Sequence, residues 1–362
     1  MTSFAVAFIV TLAFVPVSIV MARHFAIVAN VRGDRWGDRQ VPRIGGVAIS
    51  LGLASGIATA GLEPLSGAML VGGCLAVGCL GLTDDLRDVQ PSTRLAVQAT
   101  IGGVLGAGLA LVPGSGMWAP ALILLGAVVV PILANAANLV DNADGLAATL
   151  AVMSALALMV MAGLGGMDDA RLVSLAIVGA GIGFLVFNLP RAQVFMGDVG
   201  SLSLGFALAA VWLVLVREVT TAPSAGGLAV VLAAPAAWAV QLGDMGMVFV
   251  TRLRRRASPF RGGVDHTSHR LMRLGLSLPA TLAVLAGCAL VSGAVGGLAA
   301  ASRTPLISVG VILALGLAVV ALEAVVALRV GHAPNDGQPA TSAVGLNRHD
   351  SITPSARGRR SQ

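Results

Sequence analysis

Charge is what this sequence has least of. Only 11% of its 362 residues are charged while 56% are hydrophobic, and the mean hydropathy is +0.90. That balance excludes a soluble domain of this length, which would need far more polar surface. Lysine is absent, so the whole basic charge rests on 23 arginines. Cysteine is scarce: Cys74, Cys79 and Cys288 all fall in apolar runs and read as packing residues, with no disulfide or zinc spacing. No basic residue precedes the first apolar run, whereas Arg23 and His24 follow it. A cleaved signal peptide carries its charge on the other side, so this run reads as a retained helix with its N-terminus outside. No tandem repeat is present.

What the chain does have is apolar runs near the roughly 17–25 residues that span a bilayer as helix. About eleven are expected, near 4–22, 44–62, 66–83, 95–112, 118–134, 146–164, 172–187, 202–216, 227–250, 278–300 and 306–328. The fold expected is an all-α, polytopic integral membrane helix bundle, because helices satisfy their own backbone hydrogen bonds in lipid. With the N-terminus outside, 20 of the 23 arginines fall on the inner side and only Arg171, Arg217 and Arg303 outside. The positive-inside rule then fixes the orientation and makes the C-terminus cytoplasmic. The net charge of +6 follows from that topology and gives no reason to invoke nucleic acid. Residues 1–330 form the expected membrane domain. Residues 331–362, small, polar and proline-punctuated, read as a disordered cytoplasmic tail.

Five inner loops hold most of the remaining polarity: Asn30–Arg43, Asp84–Arg94, Asn135–Gly145, Asn188–Ser201 and Arg252–Gly275. In GLTDDLRDVQPSTR, Asp84 and Asp85 are adjacent at the end of a run. Such a pair is costly near hydrocarbon unless a cation compensates it, and it suits a divalent metal or a proton acceptor; the plain reading is a charged stop. In NLVDNADGLA, Asn138, Asp141, Asn142 and Asp144 offer the oxygen ligands that magnesium-class cations take. Helix capping by Asp144 would explain one of the four. FNLPRAQVFMGDVGSLSLGF sets Asn188, Arg191, Phe195 and Asp198 around glycines that admit a close phosphate or base. Phe195 is either a base-stacking ring or an interfacial anchor. RLRRRASPFRGGVDHTSHRL carries Arg261 in an arginine cluster, with His266 and His269 three apart on one helical face. Arginine forks and imidazoles suit a pyrophosphate, and a positive-inside anchor is the alternative. Asp244, inside a run, is functional by default. GAGIGF reads as close helix contact.

In this order, VPRIGGVAI, TDDLRDVQPSTR, NLVDNADGLA, FNLPRAQVFMGDVGSLSLGF and the histidine loop resemble the polyprenyl-phosphate N-acetylhexosamine-1-phosphate transferases, over about residues 30–275. The resemblance implies a Mg²⁺-dependent enzyme, with Mn²⁺ as the alternative ion. It would move GlcNAc 1-phosphate, or another N-acetylhexosamine 1-phosphate, from a UDP-sugar to polyprenyl phosphate, releasing UMP. That is a first membrane step of cell-envelope glycan synthesis, at the inner (plasma) membrane with the site facing the cytoplasm, in a chain that can be a homodimer. By position, Asp84, Asp85, Asp141, Asp198, His266 and His269 match catalytic residues. Arg94, Asp144, Asn188, Phe195 and Arg261 match substrate contacts, and Asn138 and Asp198 match metal ligands. Two departures stand out: Arg94 replaces a usual lysine, and Ser268 replaces the middle histidine of His-x-His-His. The rival readings are a phospho-N-acetylmuramoyl-pentapeptide transferase and, from another class, an ion-coupled transporter.

Overall fold

The computed structural model describes residues 1–25, 27, 41–114, 119–258 and 263–330, and among these there is no β-strand. The helices are α1 (Thr2–His24), α2 (Gly46–Ala58), α3 (Pro64–Arg87), α4 (Pro91–Ala110), α5 (Ala119–Leu139), α6 (Leu146–Gly165) and α7 (Asp168–Asn188). They continue with α8 (Gly197–Thr221), α9 (Ala225–Ala233), α10 (Ala239–Arg254), α11 (Thr267–Arg273), α12 (Leu278–Ala301) and α13 (Pro305–Val330). Their starts follow ordinary chemistry. Glu63 accepts from Leu65 N and Ser66 N ahead of Pro64, and Ser224 accepts from Gly227 N at 2.9 Å to start α9.

The eleven apolar runs all fall on helices. Among the described residues, eight helical stretches are long and apolar enough to cross a membrane, while α2 and the apolar part of α13 are shorter. The run expected at 227–250 is not one helix. A 3-10 turn, Ala234–Trp238, separates α9 from α10, where Pro235 has no N–H to give and crowds the preceding turn. Two of the three cysteines are also corrected. Cys74 is buried, but Cys79 and Cys288 lie on exposed faces, because hydropathy reports a helix's average and not the side each residue takes.

Helix α8 is the axis of the bundle, 89% buried over its apolar window, with α2, α3, α5 and α7 packed around it. Lipid removes most of the hydrophobic drive between helices, so close approach and buried polar pairs must supply the cohesion. Gly81 lets α3 lie directly on the α8 backbone: a Cβ there would run into Asp198 and Val199. Gly46 does the same for α2 against Met196 and Gly200. The GAGIGF segment meets its expectation, with Gly179 against the backbone of Phe4 and Phe8 in α1. Ser50 and Ser203 share a 2.6 Å hydrogen bond, and Asn135 Nδ2 donates to Gln98 Oε1 at 2.6 Å. Each such bond contributes about 0.6 kcal/mol in a membrane protein. The Gly46 and Gly81 contacts lie at one end of α8, the end that begins with Gly197 and Asp198.

Candidate active site

Asp198 stands in the first turn of α8 and is the hub. Asn138 Nδ2, in the last turn of α5, donates to Asp198 Oδ1 at 2.8 Å and to Ser201 Oγ at 3.0 Å. Arg94, in the first turn of α4, brings Nη1 to 3.7 Å from Asp198 Oδ2 and donates to Asp84 Oδ2 at 2.6 Å. Asp84 Oδ1 accepts from Val89 N at 2.8 Å, which closes the end of α3. The neighbouring Asp85 has a fully buried side chain; its Oδ2 accepts from Val199 N at 3.2 Å and its Oδ1 lies 3.0 Å from Arg43 Nε. That ion pair lacks hydrogen-bond alignment, so Asp85 Oδ1 and Arg43 Nε are buried polar atoms without a hydrogen-bond partner. Three carboxylates thus face two guanidiniums.

A second tier shapes the rim. The segment before α2 pairs with the segment before α8: Phe195 N donates to Pro42 O, and Gly45 N to Phe195 O. Asn188 is buried and used at both ends, accepting from Gly145 N and donating to Val194 O, each at 2.7 Å. Asp144 Oδ2 accepts from Ala192 N at 3.0 Å. It does not cap α6, whose N-cap is Gly145 at φ +74°. The histidine segment is fastened to the loop after α5 by Ser268 Oγ, which donates to Asn142 Oδ1 at 2.5 Å. On its other side, His266 Nδ1 lies 2.9 Å from Asp244 Oδ2, Thr267 N donates to Asp244 Oδ1 at 2.7 Å, and Arg252 forks onto Asp265 at 2.7 and 2.9 Å. Burial alone would raise the Asp265 carboxyl, but that guanidinium fork outweighs it and holds the group below the usual carboxylate range.

The described parts of all five polar segments therefore meet at one end of the bundle. A family model for Glycosyl transferase family 4 matches residues 68–216. The chain is 29% identical over 291 residues to a Bacillus subtilis protein named as a probable undecaprenyl-phosphate N-acetylglucosaminyl 1-phosphate transferase, covering 76% of this chain and 79% of that one. It is 30% identical over 292 residues to the decaprenyl-phosphate N-acetylglucosaminephosphotransferase of Mycobacterium leprae, covering 71% of this chain and 73% of that one. The chain belongs to glycosyl transferase family 4. Another similar protein is the phospho-N-acetylmuramoyl-pentapeptide-transferase of Latilactobacillus sakei subsp. sakei, 33% identical over 237 residues, covering 58% of this chain and 74% of that one.

In this family 4 chain, Asp84, Asp85, Arg94, Asn138 and Asp198 form one cluster. Asp141, Asp144, Asn188 and Phe195 line the adjoining turns, and His266 and His269 lie with ring centroids 6.0 Å apart. Arg261 falls outside the described residues, as does the 331–362 tail. The predicted loops are corrected to helix ends. Asp84 and Asp85 are in the last turn of α3, Asn138 in that of α5, and Asp198 in the first turn of α8, because polar residues at a helix end extend it past the apolar run. Sequence reasoning left Arg43 and Ser201 out of the site, and it marked Asp244 as functional without giving it a partner or a place in the site. The signal for Arg43 was its place just before Gly45 and Gly46, where the backbones converge.

Among the described residues no three His, Cys, Asp or Glu side chains form a ready metal cage. Magnesium needs no such cage, because it keeps waters and takes one or two carboxylates together with substrate phosphates. The all-oxygen donor set, the surplus carboxylate and the unsatisfied Asp85 Oδ1 fit such an ion.

Proposed function

We propose that this chain transfers N-acetylhexosamine 1-phosphate, most readily GlcNAc 1-phosphate, from its UDP-sugar to a polyprenyl phosphate, giving polyprenyl diphosphate-sugar and UMP. The observation that carries this reading is the meeting of Asp84, Asp85, Asn138 and Asp198 with Arg43 and Arg94 at one bundle end. The names of the similar Bacillus and Mycobacterium proteins point to the same acceptor and sugar.

An oxygen of the acceptor phosphate attacks the β-phosphorus of the donor, and the bond from that phosphorus to the oxygen bridging to the α-phosphate breaks, releasing UMP. The acceptor must attack as a dianion, and the Asp84/Asp85 pair is the local base that takes its proton. Arg94 and Arg43 neutralise charge gathering on the diphosphate, the main demand of phosphoryl transfer. Asn138 and Asp198 would hold a magnesium ion, whose chemistry is to polarise phosphoryl oxygens and orient the leaving group. Asp141 and Asp144 line the nucleotide side, with Phe195 placed for the uracil. The site is assigned to the cytoplasmic side by the positive-inside rule: with eleven spans read from the sequence and the N-terminus outside, 20 of the 23 arginines would fall on the side of the site.

Purified protein given radiolabelled UDP-GlcNAc, polyprenyl phosphate and Mg²⁺ should move label into a lipid extract and release equimolar UMP. No transfer from any of a panel of UDP-N-acetylhexosamines would overturn the reading. Transfer only from the UDP-muramoyl-pentapeptide would favour the second reading, which the shorter match to the Latilactobacillus protein supports. An ion-coupled transporter would hold such groups near the midplane on broken helices, whereas these sit at helix ends.

A further inference from the structure

The strongest unassigned feature is the Asp244 carboxylate. It lies in α10, six residues after the end of the 3-10 turn, and is 4% exposed. One oxygen, Oδ1, accepts from Thr267 N at the start of α11, where four backbone N–H groups otherwise have no helical partner. The other, Oδ2, meets His266 Nδ1 at 2.9 Å. A single buried carboxylate from another helix thus fixes both the ring of His266 and the backbone of the next residue, Thr267.

The chemistry of that pair is directional. An ionised carboxylate only accepts, so Nδ1 must carry the hydrogen, and in a neutral imidazole the lone pair is then on Nε2. Among the described residues Nε2 makes no hydrogen bond, and it is not among the side-chain atoms sealed without a partner. The Ser268–Asn142 bond holds this end of α11 beside the turn that carries Asp141 and Asp144. Arg252 forks onto the Asp265 carboxylate and Arg270 Nε donates to the Asp265 carbonyl, and together they hold the preceding segment against α10.

We propose that Asp244 is a positioning residue that locks His266 in the Nδ1–H tautomer and presents Nε2 to the sugar-diphosphate side of the donor. What Nε2 meets rests on the transferase reading above; the tautomer does not. The carboxylate touches no reacting atom, and its effect passes through the imidazole, much as outer partners orient histidines elsewhere.

The decisive measurement is made on the unaltered Asp244–His266 pair. In ¹⁵N-histidine-labelled protein in nanodiscs, five histidines give few enough signals for His266 to be assigned by comparison with His266→Asn. At alkaline pH its ring should show hydrogen on Nδ1; the Nε2–H form would overturn the proposal. Asp244→Asn, which keeps size and burial, should let the ring populate both tautomers and lower kcat by about 10- to 100-fold. In a His266→Asn background the same change should cost little further activity, and an equal loss in both backgrounds would overturn the positioning role. If wild type transferred no sugar phosphate at all, the transferase reading would fall, while the tautomer result would still decide what Asp244 does.

Discussion

Asp198 meets Asn138 and Arg94 directly, and the Asp85 carboxylate grips the amide of its neighbour Val199, so Asp198 is the residue whose loss should be felt most. Asp198→Ala should lower transfer by about 10²- to 10³-fold, the usual cost of removing one group that steadies transition-state charge. Insertion should be kept and the melting temperature should fall only slightly, since Asn138 loses one of its two bonds to α8 and keeps the one to Ser201; an unchanged rate would remove the metal assignment. Ser268 makes a milder case. Ser268→Ala leaves Asn142 Oδ1 without its donor, a loss of about 0.5–1.5 kcal/mol, so kcat/KM for the donor should fall by roughly 2- to 12-fold. A donor titration at saturating acceptor reads that directly, and an unaltered value would mean the bond carries no function. At this scale residue type was informative: paired aspartates and clustered carboxamides in so apolar a chain had few bland explanations. Partnership was not. Nothing in VPRIGG says that Arg43 faces Asp85, because that contact depends on where α2 and α3 pack.

At the scale of elements, the site is a set of helix ends held together by close packing one turn or less away. Gly81 brings α3 onto the start of α8, so Gly81→Ala must push the helices apart, at about 1–3 kcal/mol for overpacking. Transfer should fall with the melting temperature, because Asp84 and Asp85 move with α3. Gly72, with open space around its Cα, is the control in the same helix, and alanine there should leave both unchanged. Hydropathy found these helices, yet it misjudged their ends and could not see the break before α10, since it is blind to hydrogen bonding and to Pro235 as a breaker. The Arg252–Asp265 clamp carries a pH prediction. Its folded-state carboxyl is depressed, so its stabilisation is present above the unfolded value of about 4 and is lost as pH falls through the lower folded value. Asp265→Asn should therefore cost about 3–5 kcal/mol at neutral pH, the range for breaking a buried pair. Easier proteolysis of the segment between α10 and α11 would report it, and the difference from wild type should shrink in strong acid.

Across the whole molecule, the cluster is drawn from five places in the chain: the segment before α2, the ends of α3 and α5, and the starts of α4 and α8. A ligand that bridges them ties together elements far apart in the chain, so its binding should register as global stability. No three-carboxylate or histidine cage exists among the described residues, so magnesium alone should bind weakly and move the melting temperature little. With UDP-GlcNAc present, the diphosphate would add its oxygens to those of Asn138 and Asp198 and lie against Arg43 and Arg94, and the two ligands should then stabilise together. At free ligand 100-fold above its dissociation constant the gain is about 2.7 kcal/mol, readily seen as a shift in thermal unfolding in detergent. Chelation should abolish both that shift and transfer, and magnesium should restore them. A full shift from magnesium alone would mean a preformed cage that the donor set does not offer. A full shift from UDP-GlcNAc under chelation would mean that the two arginines hold the diphosphate without an ion, and the oxygen cluster around Asp198 would then need another purpose.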